Sequence, residues 1–256
     1  MAPLLYFHGL PGSTREVDLS PARPPGLWVV AASQTEEALA GTAGPVDLAA
    51  FSLGAPSALR TAARHPDRVR RVTLIAPAAP LDLVDVLDQM AGAPVLQVAR
   101  RGRLALRALT AAQRAMVWAA PGLVLDAMFR TADPTERSLL DDPAARSILI
   151  HGLRESLGPE AAAYRAALLA YVAPWAQLLP MVRMPVRVLV GEADTWAPPA
   201  MGRALAEALP AGRLTALPGL GHYGTLIAAL SDATLWAPDD ADLPAPADDP
   251  EDPEDR

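Results

Sequence analysis

Short apolar runs alternate with helical or turn-rich segments at the start of this chain and again near its end, and no other feature limits the fold as much. Leu4 to His8 (LLYFH), Leu27 to Ala31 (LWVVA), Val46 to Phe51 (VDLAAF) and Val69 to Ala76 (VRRVTLIA) read as strands. A brief helix around Thr35 to Ala40 and a longer one from Gly54 to His65 lie between them. The pattern resumes with Val186 to Val190 (VRVLV), a helix from Pro199 to Leu209, a strand from Arg213 to Leu217, and a last helix near Tyr223 to Leu235. Strands separated by helices need crossover connections, which give a parallel sheet covered on both faces. The expectation is an α/β fold: a mostly parallel sheet of about six strands flanked by helices.

From Leu81 to about Met181 the period is helical instead. Pro94, Pro121, Pro134, Pro143, Pro159 and Pro174 punctuate that stretch into five or six helices. The expected organisation is a core built from residues 1–80 and 181–238 and an inserted all-helical lid over 81–180. Residues 239–256 form an acidic, Pro-rich tail, expected to be solvated and disordered. From Asp239 to Arg256 there are nine acids and one arginine, a charge of -8. The whole chain carries -7, so the remaining 238 residues sum to +1. A nearly neutral body has no basic footprint for nucleic acid, and no such partner is expected.

The residue inventory excludes several chemistries. All 22 basic residues are arginine, and there is no lysine or cysteine. Schiff-base catalysis, lysine-dependent phosphate loops, thiol nucleophiles and thiolate metal sites each lack their essential residue. Four scattered histidines make no metal cluster, so neither a metal nor a cofactor is expected. No apolar run approaches the ~20 residues that span a bilayer, so no membrane partner is expected. The opening MAPLLYFHG lacks a basic n-region and cleavage site, and a cytoplasmic location is expected.

Four loops at strand ends carry chemistry-bearing residues. AAFSLGA (Ala49 to Ala55) places Ser52 between a strand and a helix, with small residues two positions before (Ala50) and two after (Gly54). A serine at such a sharp turn is either a helix N-cap or a nucleophile lifted clear of the sheet. HGLPGS (His8 to Ser13) follows the first strand, where Gly9 lets the chain turn. The N–H groups of Leu10 and Leu53 can then face the same cleft as oxyanion donors. His8 reads as a buried histidine hydrogen-bonding its loop. GEADTWAPP holds Asp194 beyond the carboxyl end of VRVLV, as a loop cap or as a functional acid. PGLGHYG projects His222 between Gly221 and Gly224. His65 looks like a helix-end residue and His151 lies in the helical stretch, so His222 alone has the setting of a general base.

In this chain order the four segments resemble the α/β-hydrolase superfamily, over Leu4 to about Pro80 and Val186 to about Leu230. Carried over residue by residue, the resemblance implies Ser52 as nucleophile, Asp194 as acid and His222 as base, on a serine hydrolase with a helical lid. It implies cleavage of a carboxylic ester, thioester or lactone, with a small-molecule acyl substrate as partner. An acyltransferase or C–C bond hydrolase on the same residues, and a non-catalytic ligand-binding protein, are the alternatives. Asp82 or Asp85, just after the fourth strand, is the other position for the acid.

This sequence departs from that pattern in two ways. The two strands that usually precede the oxyanion strand are missing from the reading, unless the natural start lies upstream. Only 44 residues separate His8 from Ser52. A shortened sheet leaves the Leu27 strand as an open edge that favours a homodimer. In the helical stretch Met116, Trp118, Met128, Phe129 and Trp175 are candidates for the substrate pocket, along with Tyr164 and Tyr171. Apolar residues at helical spacing are otherwise core. The run RRGRLALR (Arg100 to Arg107) reads as a solvated face or a contact for an anionic substrate, with ten arginines balancing ten acids over 81–180.

Overall fold

A computed structural model of the chain describes residues 2–236; the acidic segment 239–256 lies outside the described residues. Its strands are β1 (Leu4–Phe7), β2 (Leu27–Val29), β3 (Val46–Phe51), β4 (Val69–Ile75), β5 (Val186–Gly191) and β6 (Gly212–Leu217). They form one six-stranded sheet in the order β2-β1-β3-β4-β5-β6, every pairing parallel. The residues say why. β1 and β3 are buried along their whole length, as an unbroken apolar run in a two-sided sheet must be. The edge strand β6 mixes exposed and half-buried positions, and the other edge, β2, has only three residues. The polar exception in β3 is Asp47, which Arg70 grips from both carboxylate oxygens at 2.9 and 2.7 Å.

From β1 the chain runs outward to β2 and then crosses back to β3, so the strand order reverses at β1. A sheet of this kind opens a crevice at the carboxyl ends of the strands on either side of that reversal. Register then fixes what meets there. Phe7, the last residue of β1, pairs with Ala50 of β3, which puts the His8–Leu10 loop beside Ser52.

Helix α1 (Thr35–Ala40) leads into β3, and α2 (Ala55–Arg64) follows it. In α2 Ala58, Leu59 and Ala62 are fully buried while Arg64 faces out, the one-sided stripe of a helix laid on a sheet. Between β4 and β5 come six α-helices: α3 (Ala93–Arg100), α4 (Arg103–Ala119), α5 (Pro121–Met128), α6 (Pro134–Ser138), α7 (Pro143–Leu157) and α8 (Ala161–Val172). Prolines start α5, α6 and α7 and sit second in α3, where a missing N–H costs no helical bond. Asp133 and Asp142 cap α6 and α7 by accepting from the amides of Thr135 and Ala144. Among the described residues no helix is long and apolar enough to cross a membrane.

After β5, α9 (Pro199–Ala208) packs on β5 and β6, and α10 (His222–Ser231) packs on β5. The last helix is shorter than the sequence pattern predicts. Asp232 ends it, because its carboxylate accepts from both the amide and the hydroxyl of Thr234 and offers the backbone a competing turn. A short 3-10 turn, Ala233–Trp236, replaces the expected continuation.

Candidate active site

Ser52 stands at the junction of β3 and α2 with φ +53°, a left-handed conformation that a non-glycine residue holds at a cost of order 1–3 kcal/mol. The turn closes because Gly54 follows: a Cβ there would lie 2.4 Å from the Phe7 carbonyl oxygen. β1 and the start of α2 therefore touch backbone to backbone, and Ser52 Oγ is carried above the sheet.

His222 begins α10 and is 2% exposed. Its Nε2 lies 2.9 Å from Ser52 Oγ and its Nδ1 lies 2.7 Å from Asp194 Oδ2. Since a carboxylate only accepts, Nδ1–H donates to Asp194, and the neutral ring presents Nε2 to accept the Ser52 hydroxyl proton. Asp194 is held in turn. Its other oxygen, Oδ1, accepts from the amides of Trp196 at 2.7 Å and Ala197 at 2.9 Å, leaving Oδ2 for the imidazole. The three residues predicted from separate loops thus form one hydrogen-bonded line across the ends of β3, β5 and β6. Asp82 is elsewhere: it caps the turn at Trp175 and Ala176, accepting from both amides at 3.2 Å. His65 pairs with Glu36 and His151 with Glu155, both near the surface, and His8 donates from Nδ1 to the Gly9 carbonyl.

Two buried carboxylates flank this line, and neither was legible in the sequence. Glu16 accepts from Tyr6 Oη at 2.6 Å and from the Gly9 amide at 2.9 Å. It thereby pins the loop after β1. The Gly9 N–H is consumed by that bond, whereas the Leu10 N–H has no partner among the described residues. Glu136, from α6, accepts from the amides of Tyr223 at 2.5 Å and Gly224 at 3.1 Å. These are two of the free first-turn donors of α10, directly after His222, and a carboxylate is favoured at that helix end. The local sequence DPTE has the form of a capping box for α6 itself. The structure instead sends Glu136 across 87 residues of chain to another helix.

These charges act on His222. Burial by itself lowers the imidazole pKa, but the Asp194 charge and hydrogen bond, then Glu136 and Glu16, outweigh it, and the net shift is upward. Both glutamates are themselves pushed up by burial, against their hydrogen bonds. The ring is packed on both sides: Trp196 stacks at 5.7 Å and 10°, and Phe51 lies tilted at 4.6 Å.

A cavity of about 210 Å³ opens over Ser52. Leu10 and Leu53 lie on its wall, so the two expected oxyanion donors flank the serine. Of the pocket candidates, Met116, Met128 and Tyr164 line this cavity; Trp118, Phe129, Trp175 and Tyr171 do not. Trp118 is two residues from Met116, roughly 200° around α4, so it points outward at 56% exposure under the guanidinium of Arg154. Phe129 is sealed in a ring cluster with Trp196 and Tyr223 behind the imidazole. Trp175 is buried beneath Arg60, and Tyr171 donates its hydroxyl proton to the Ala79 carbonyl. Gln113, Leu153, Leu157 and Trp196 are among the further wall residues that were missed. Gln113 precedes Met116 by three positions, and that helical spacing was the available signal. Among the described residues no group of three or more His, Asp or Glu could hold a metal ion.

A sequence profile of the alpha/beta hydrolase family matches residues 2–238. No curated protein matches the sequence. Among solved structures, the chain is similar to a thermophilic esterase from Thermogutta terrifontis, with 20% identity over 87% of this chain and 83% of that one and a TM-score of 0.57. It is similar to a bromoperoxidase from Bacillus anthracis at 17% identity, over 89% and 87% of the two chains, with a TM-score of 0.60. An enol-lactonase from Burkholderia xenovorans LB400 is similar at 20% identity, over 90% and 87%, with a TM-score of 0.53.

Proposed function

Since the chain belongs to the alpha/beta hydrolase family, we propose that it is a serine hydrolase cleaving a carboxylic ester, thioester or lactone through an acyl-enzyme on Ser52. The observation that carries this reading is the line from Ser52 through His222 to Asp194. His222 Nε2 takes the hydroxyl proton as Oγ forms its bond to the substrate carbonyl carbon. The amides of Leu10 and Leu53 receive the resulting oxyanion. His222 then gives its proton to the leaving oxygen or sulfur as the bond to it breaks. Water repeats the sequence on the acyl-enzyme, losing a proton to His222, and the acid leaves as that proton returns to Ser52. Throughout, Asp194 keeps the tautomer and balances the imidazolium charge.

The cavity supports a small apolar acyl or ring-bearing substrate. At about 210 Å³ it exceeds the roughly 150 Å³ that admits benzene. Its wall is mostly Leu, Met and Val, and its polar points are few. The Gln113 amide oxygen and the Trp196 indole nitrogen are buried without hydrogen-bond partners among the described residues, so a substrate with a polar group beyond its carbonyl is accommodated. An esterase and an enol-lactonase among the similar folds are consistent with carbonyl substrates of this kind. The test is a panel of p-nitrophenyl esters of graded acyl length, run with fluorophosphonate labelling. Hydrolysis with a short-to-medium optimum and a label on Ser52 is expected. A folded protein that neither turns over any ester nor takes the label overturns the proposal. Faster product release with added alcohol or amine, and transfer of the acyl group to it, identifies an acyltransferase instead.

The charges around His222 set the pH dependence. The base works only when neutral, and its pKa is raised, so the acid limb of kcat/KM is expected above the ordinary imidazole value of about 6.5. Glu136→Gln removes one of the raising charges and is expected to move that limb to lower pH. A limb that stays in place shows that Glu136 has no electrostatic influence on the base.

A further inference from the structure

Of the outward face of α4, only Trp118 has a contact described above, lying under the guanidinium of Arg154. Leu104, Ala111 and Trp118 recur every seven residues, which brings them close to one line along the helix, and all three are exposed. Leu104 is 81% exposed, and Leu123, at the start of α5, 73%. With Trp118 these are three of the seven large exposed apolar side chains among the described residues, while Met116, about 200° from Trp118 around α4, belongs to the cavity side. Single exposed leucines are ordinary, but a cluster of this kind marks an interaction surface.

Charge narrows the partner. Residues 93–125 contain Arg100, Arg101, Arg103, Arg107 and Arg114 and no acid. None of the five makes an ion pair with a described residue. The balance of arginines and acids over 81–180 is therefore a sum over the stretch, and this part of it is strongly basic. Arg107 and Arg114 are themselves seven apart and lie about 60° around the helix from the Leu104–Trp118 line. An apolar stripe with a basic flank suits a surface that offers both hydrocarbon and negative charge. A second copy of the chain would bring two such arginine rows together with no acid between them.

Position links this face to the cavity. A groove of about 1010 Å³, lined in part by Asp88, Met116, Leu123, Val124 and Met128, meets this face at Leu123. Met116, Val124 and Met128 also line the cavity over Ser52. We propose that the α4 face with the start of α5 docks on an anionic lipid surface, and that acyl substrates enter the groove from that side. The second clause rests on the serine-hydrolase reading; the docking itself does not. Such a contact needs no spanning segment.

The test is co-sedimentation of the full chain with vesicles of pure phosphatidylcholine and of equimolar phosphatidylcholine and phosphatidylglycerol. Wild type and Ser52→Ala are expected to bind the anionic vesicles alike and the neutral ones at least about 10-fold more weakly. Leu104→Ser with Trp118→Ser, and separately Arg107→Gln with Arg114→Gln, are expected to lower anionic binding by about 10-fold or more. Both double variants are expected to keep the wild-type rate on a water-soluble short ester, which also certifies their fold. Failure to bind either vesicle overturns the proposal, as does binding that survives both double variants. A dimer in light scattering that Leu104→Ser dissociates also overturns it, in favour of self-association. Vesicle binding by a protein that hydrolyses no ester leaves the docking intact and removes only the hydrolase reading.

Discussion

Ser52→Ala is expected to lower ester turnover by about 10⁴–10⁶-fold, with the fold intact. The size follows from what the hydroxyl does. Without it no acyl-enzyme forms, and His222 is left beside a methyl group with nothing to deprotonate but water. What remains is the cavity and the two loop amides, which bind and polarise a carbonyl without attacking it. The fold is expected to survive because Ser52 Oγ bonds only to His222 among the described residues. The turn is held by other contacts: the Ser52 carbonyl accepts from the Ala78 amide at 3.1 Å, and Gly54 packs on β1. Alanine also tolerates the left-handed backbone no worse than serine by more than a small margin. The variant should therefore keep its circular dichroism spectrum and melting point while losing turnover and the fluorophosphonate label. Wild-type turnover by Ser52→Ala would show that the ester is cleaved elsewhere.

The sheet was readable from the sequence because its determinants are local. VDLAAF is a buried strand wherever it occurs in a parallel sheet, and β3 spans those residues. The same holds for the strand-end loops, where small residues around Ser52 and His222 state the backbone geometry in four or five letters. The flanking carboxylates were not readable, since their roles are defined by contacts distant in the chain. Glu136 in DPTERS looks like a local cap, and only the packing of α6 on α10 gives it the amides of Tyr223 and Gly224. Glu16 sits nine residues after β1 in a 3-10 turn, and nothing in TREVDL says that it folds back under Gly9. The cavity wall failed for a related reason. Picking the large apolar residues of the helical stretch ignores phase, and Met116 and Trp118 on one helix cannot both face inward. Gln113 shares the phase of Met116 and was passed over because it is polar.

The choice between two aspartates gives the other large effect. Asp194→Asn is expected to lower kcat by about 10⁴-fold, and Asp82→Asn to leave it within about 3-fold of wild type. Asparagine at 194 is nearly isosteric and still has an oxygen to accept from Trp196 and Ala197. That requirement turns its NH₂ group toward His222 Nδ1. An NH₂ group cannot accept, so Nδ1 must give up its proton and become the acceptor, and the proton moves to Nε2. Nε2–H then faces Ser52 as a donor, which is the wrong tautomer for a base. The loss is thus a proton in the wrong place and does not need any displacement of the ring. Asp82, by contrast, accepts from the amides of Trp175 and Ala176 and does not touch the imidazole. Its replacement weakens two charge-assisted hydrogen bonds, an effect on stability of about 1–3 kcal/mol. Thermal melts and kcat measured together separate the two outcomes. A variant at 194 that keeps near wild-type kcat, or one at 82 that loses it while still folded, would assign the acid to the other loop.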